Sequence, residues 1–158
     1  MLEYRKSKTV IDENALTGVA VPYNQYAEIR DSSLVFRERF LPGSVEVPDT
    51  VTLRMGHADQ GVPLARVGAG TVTFYESEYG LMFRAKLPES RFEIREALKR
   101  GDLDGSVSIG FYATKDIKKA TRGGRVAFTR TVTAARLDHL AIVEQGAYEN
   151  AKATLGND

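Results

Sequence analysis

The side chains best able to do chemistry lie in three short segments: Arg54-Met-Gly-His-Ala-Asp59, Asp104-Gly-Ser-Val-Ser-Ile-Gly-Phe111 and Leu137-Asp-His-Leu-Ala-Ile-Val143. They hold both of the histidines in the chain. A serine hydroxyl becomes a nucleophile when an imidazole takes its proton and a third group orients that imidazole, and such constellations are defined by geometry and role rather than by chain order. Ser108, His57 and His139 have the composition for this, provided that the fold brings them together.

Period-two alternation puts Val107, Ile109 and Phe111 on one face of a strand and Ser106, Ser108 and Gly110 on the other. The second face is small and polar, and Gly110 removes a side chain that would block a substrate backbone approaching a hydroxyl. Ser106 shares that face and is the rival nucleophile. In the third segment His139, Ala141 and Val143 point one way and Asp138, Leu140 and Ile142 the other. A half-buried imidazole there needs a partner for at least one ring nitrogen, which a second histidine or a backbone carbonyl supplies. His57 ends the strand-like Val51-Thr-Leu-Arg-Met55 and opens a loop through Asp59-Gln-Gly61, where a rigid element presents a side chain at its tip. Spacing alone leaves open an inert serine, a carbonyl-bonded His139 and a solvent-facing His57. Neither histidine belongs to a His-x-x-x-His pair or a carboxylate cluster, so neither a metal nor another cofactor is expected.

The elements that must position these residues are short β-branched and aromatic runs punctuated by glycine. Strands are predicted at Ala15–Val21, Ser33–Phe40, Thr50–Met55, Gly70–Glu76, Gly80–Lys86, Gly105–Thr114, Arg125–Val132 and Arg136–Val143. Glu76-Ser-Glu-Tyr-Gly80 reads as a hairpin loop and Lys119-Ala-Thr-Arg-Gly-Gly124 as an exposed turn. One helix is signalled by Ser90 and Glu93 as a capping box, by an apolar stripe of Phe92, Ile94, Ala97 and Leu98, and by the stop Lys99-Arg-Gly101. Its expected role is to cover one opening or face of the sheet. The fold class expected is mainly β (α+β), a closed or nearly closed antiparallel barrel. Residues 1–14 and 151–158 are expected to be flexible ends of one domain spanning 1–158.

A chain of 158 residues, 42% hydrophobic and 27% charged, suits one domain with a sizeable core. Lysine plus arginine number 22 against 21 acids, which points away from nucleic acid and from anionic membrane surfaces. A sheet-based single-strand binder using Tyr75, Tyr79, Phe83, Arg84 and Lys86 is therefore disfavoured, and these aromatics are better explained as core. The absence of cysteine excludes disulfides, thiolate metal sites and a cysteine nucleophile. The first ten residues lack an apolar signal region, and no run approaches the ~20 apolar residues of a membrane span. A soluble intracellular chain is expected.

From Leu16 to Tyr148 the chain resembles the tailed-phage prohead maturation proteases, serine peptidases related in fold to the herpesvirus assembly protease. The resemblance is carried in order by Thr17-Gly-Val-Ala-Val-Pro-Tyr-Asn24, Arg37-Glu-Arg-Phe-Leu-Pro-Gly-Ser44, Gly56-His57, Gly80-Leu-Met-Phe-Arg-Ala-Lys-Leu-Pro88, Lys99-Arg-Gly-Asp102, Ser108-Ile-Gly-Phe111 and Leu137–Val143. It implies Ser108 as nucleophile, His57 as general base and His139 as third member, a Ser-His-His arrangement of herpesvirus type. Many phage relatives place a glutamate at the third position. Glu144 and Asp138 are the rivals for that role, and both require a bulge or strand end to reach it. Glu144-Gln-Gly-Ala-Tyr148 departs from the aromatic-proline pair of the family.

The activity implied is cleavage of scaffold and capsid-protein precursor segments inside the immature procapsid in the host cytoplasm, with self-trimming near Ala151–Asp158 and association as a dimer. The alternative is a catalytically inactive capsid-assembly or scaffold-binding domain on the same fold. A neutral third histidine stabilises an imidazolium less than a carboxylate does, so slow turnover is expected. The oxyanion is expected to be bound by backbone N–H groups near the serine or in Arg125–Arg136.

Overall fold

A computed structural model describes residues 1–12, 15–58, 61–144 and 153–154. The strands are β1 (Leu2–Asp12), β2 (Ala15–Pro22), β3 (Ala27–Asp31), β4 (Leu34–Phe40), β5 (Val45–Glu46), β6 (Thr52–Met55), β7 (Ala65–Arg66), β8 (Val72–Glu76), β9 (Gly80–Lys86), β10 (Ser106–Ala120), β11 (Phe128–Ile142) and β12 (Ala153–Thr154), and the α-helix α1 is Phe92–Arg100. The class is mainly β, as the sequence implies. Among the described residues twelve strands make one sheet, ordered β7-β6-β11-β4-β3-β12-β1-β2-β9-β8, with β10 pairing both β1 and β11 and β5 pairing β11. No closed barrel is found among the described residues. Nor is the pairing purely antiparallel, because β11 runs parallel to β4, β5 and β6. Those strands lie far from β11 in sequence, so no hairpin forces them to run opposite to it.

Alternation explains the clearest strands. In β9, Leu81, Phe83 and Ala85 are buried while Arg84 and Lys86 are exposed, and the tight loop back to β8 is closed by Ser77 N–H donating to Gly80 O at 3.0 Å. In β4, Phe36, Glu38 and Phe40 point inward. The core gathers Leu16, Phe40, Leu53, Phe83, Ile109, Phe111, Leu137 and Leu140 among others.

Three local expectations are corrected. Residues 1–14, read as a frayed end, contain β1, paired with β10 from Leu2 to Lys8 and with β2 from Thr9 to Asp12. The two strands predicted over Arg125–Val132 and Arg136–Val143 are one strand, kept continuous across 133–135 by register shifts against β10 near Lys115. The helix starts differently too. Pro88 leads into a 3-10 turn over Glu89–Arg91, so Ser90 sits inside that turn, and Glu93 Oε1 accepts from Arg91 Nε at 2.6 Å rather than reaching back to Ser90. Ile94 and Leu98 pack on the core, Phe92 stays 67% exposed, and Gly101 ends the helix at φ 86°. Apart from β12, the tail expected to be flexible and self-trimmed, like the Gln145–Tyr148 departure, lies outside the described residues.

Candidate active site

Four strands side by side, β1, β10, β11 and β6, build the site. Across them Lys6, Ser108, Ala141 and Arg54 align in one row, and Tyr4, Gly110, His139 and Thr52 in the next row on the same face. Residues directly opposite each other in a sheet share a face, so this register places Ser108 diagonally beside His139. His57 follows β6 after a turn at Gly56, whose φ of 73° favours glycine and whose N–H donates to Ile142 O at 2.8 Å. That turn folds the His57 ring back over the face.

The three side chains meet. His57 Nε2 lies 2.8 Å from Ser108 Oγ, and His57 Nδ1 lies 2.6 Å from His139 Nε2. His139 Nδ1 lies 2.9 Å from Asp138 Oδ2. All three groups of the Ser-His-His set are buried, with exposures of 1% for Ser108, 7% for His57 and 0% for His139.

Asp138 was expected on the opposite strand face, and the ladder contains the bulge needed to bring it round. Gly110 pairs with His139 but Phe111 pairs with Leu137, so Asp138 is the extra residue. Glu144 is exposed beyond the end of β11. Ser106 is buried one step along from Ser108, its N–H donating to Asp104 Oδ1 at 2.9 Å. The space at Gly110 serves a purpose other than the substrate access read from the sequence. A methyl group there would lie 2.7 Å from His139 Nδ1, inside the van der Waals envelope of the ring. The missing side chain makes room for the imidazole.

Burial, helped by His139, Arg54 and Lys6, depresses the His57 pKa to about 3, so the ring is neutral and able to accept a proton at physiological pH. Sequence reasoning missed three neighbours. Tyr4 packs against His57 with ring centroids 4.0 Å apart, Lys6 is level with Ser108, and Arg54 Nη1 donates to His57 O at 3.3 Å. The first two were lost with β1, and Arg54 was quoted only as part of the segment leading to His57. The segment Arg125–Arg136, one of two places expected to supply an oxyanion hole, has residues 128–132 paired by β4 on one edge and β10 on the other. Their amides are committed to these ladders.

A family model described as caudovirus prohead serine protease matches residues 2–157. No curated protein and no solved structure matches the chain.

Proposed function

This chain belongs to the caudovirus prohead serine protease family, and from that premise we propose that it cleaves scaffold and capsid-protein precursor segments during procapsid maturation, using Ser108 as nucleophile, His57 as general base and His139 as third member. The observation that carries the assignment of residues is the 2.8 Å contact between His57 Nε2 and Ser108 Oγ, backed by His139 at 2.6 Å.

In the acylation step the Ser108 proton moves to His57 Nε2 as Oγ bonds to the scissile carbonyl carbon. Collapse of the tetrahedral intermediate breaks the C–N bond, and His57 returns the proton to the leaving amine. Water then repeats the sequence on the ester, releasing the acid and restoring Ser108. His139 holds the His57 ring in the tautomer that leaves Nε2 free to accept. The low pKa of His57 keeps that nitrogen unprotonated but weakens it as a base, and together with an uncharged third member this favours slow turnover. Slow turnover suffices when enzyme and substrate are enclosed together at high local concentration.

The reading treats 1–158 as one domain, acting inside the procapsid and associating as a dimer. It also includes a closed barrel, supported by the pairing of β10 with β1 and β11 and of β12 with β1 and β3. Self-trimming would fall near Ala151–Asp158.

The test is co-expression with the capsid-protein precursor. Wild type yields shortened capsid protein, whereas Ser108→Ala accumulates the precursor, and intact-mass analysis of the enzyme reports self-trimming in the same samples. Equal processing by both would overturn the protease reading in favour of an inactive assembly domain.

A further inference from the structure

We infer that Asp138 is a positioning residue that fixes the tautomers of both histidines, making the relay Ser108–His57–His139–Asp138. The inference rests on the catalytic reading of Ser108 and His57 and follows from counting protons along the contacts. For Ser108 to donate its hydroxyl proton to His57 Nε2, the neutral His57 ring must carry its hydrogen on Nδ1. That hydrogen then points at His139 Nε2, which must be the acceptor. His139 therefore carries its own hydrogen on Nδ1, facing Asp138 Oδ2 at 2.9 Å. A carboxylate accepts and never donates while ionised, so Asp138 permits only this arrangement.

Within the relay, Asp138 is the member that holds the His139 hydrogen on Nδ1 and off Nε2. The alternative tautomer would donate to His57 Nδ1, move the His57 hydrogen to Nε2 and leave Ser108 without a base. The fold supplies the carboxylate by a specific device, the bulge that makes Asp138 the extra residue between the Gly110–His139 and Phe111–Leu137 pairs. At 35% side-chain exposure Asp138 keeps its hydration, while the ring it holds is 99% covered. Its negative charge also stands one ring behind the histidine that becomes cationic, and it supplies there part of what a carboxylate in third position would give. Among the described residues, the groups facing the histidine pair from the packed strands include Tyr4 and Lys6 on β1, Ser108 on β10 and Arg54 on β6. Arg54 and Lys6 oppose protonation of His57, and Asp138 is an anion set against them.

The experiment compares wild type, Asp138→Ala and Asp138→Asn by kcat and KM against pH on a peptide from the precursor, with imidazole nitrogen NMR reporting tautomers. Asp138→Ala lowers kcat roughly 10- to 100-fold, the usual cost of losing the partner that orients a working histidine, with KM little changed. Its acid limb moves to lower pH because the anion that favoured the imidazolium is gone. Asp138→Asn retains an acceptor oxygen and recovers much of kcat, but keeps the displaced limb. The inference is overturned if Asp138→Asn matches wild type in kcat and pH limb and His139 keeps its tautomer in both variants, even where Asp138→Ala folds poorly. Loss of Ser108-dependent cleavage in wild type would sink the catalytic reading instead, and the tautomer measurement would still decide the role of Asp138.

Discussion

Two buried polar clusters share β1, and they use its two faces for different ends. On one face Tyr4 and Lys6 line the serine–histidine relay. On the other, Arg5 makes a two-pronged contact with Glu38 at 2.6 and 2.9 Å, and Arg130 joins Glu38 at 3.0 Å, Glu3 at 2.7 Å and Asp116 at 2.7 Å. The ion cluster is saturated. Its arginines are matched by carboxylates from β1, β4 and β10, and this raises the Arg130 pKa although burial opposes it. The relay is uncharged at its centre, with one anion at its outer end. Saturation makes the first cluster a clamp on the fold, and the neutral interior of the second leaves a proton free to move on the proposed reading of the site.

The strongest way to break the contrast is Glu38→Ala, which removes the most deeply buried carboxylate, the one that Arg5 and Arg130 share. It should cost about 3–5 kcal/mol in urea unfolding, the range for removing one partner of a buried ion pair. A loss below 1 kcal/mol would show that the cluster is no clamp. Gly110→Ala should spare most of that stability yet lower kcat/KM about a hundredfold, because the added methyl displaces the His139 ring from the position proposed to orient His57. Unchanged kcat/KM would place the working His139 elsewhere.

Acid separates the clusters by pH. Unfolded histidine binds a proton below about 6.5, whereas folded His57 resists protonation until about 3, so in that interval the unfolded state holds more protons. Stability should therefore fall as the pH drops through this window, by up to ~1.4 kcal/mol per unit for one proton. Burial pushes the Glu3 carboxyl up, but Arg130 and Arg5 outweigh it and hold it below its usual 4.5. Glu3 thus contributes acid sensitivity only below about that value. Melting curves from pH 6.5 to 4.5 should flatten in His57→Gln, and an unaltered slope would contradict the buried neutral base. The smallest effect is expected at Phe92, which touches neither cluster. Phe92→Ser should change unfolding stability by less than ~0.5 kcal/mol.

The same contrast explains what the sequence displayed. The relay residues were legible because histidine is scarce here and because the residue types of β10 alternate around Ser108. β1 was not, because its inward face carries Glu3, Arg5 and Ser7, and a buried polar residue satisfied by distant partners has the hydropathy of a solvated one. Glu38 lies 33 residues from Arg5, so nothing local announces the pair. Gly110 was recognised as a space, but its occupant lies on the next strand, and the bulge that brings Asp138 to His139 is a property of the β10–β11 register rather than of either strand. The capping box failed for a related reason, since Pro88 set an earlier turn and Arg91 engaged Glu93.

The most direct test of the account treats the folded protein with a fluorophosphonate probe and maps the adduct by peptide mass spectrometry. The account predicts modification of Ser108 in wild type and in Ser106→Ala, and none in His57→Ala. An adduct on Ser106, or labelling of Ser108 that is indifferent to His57, would contradict it.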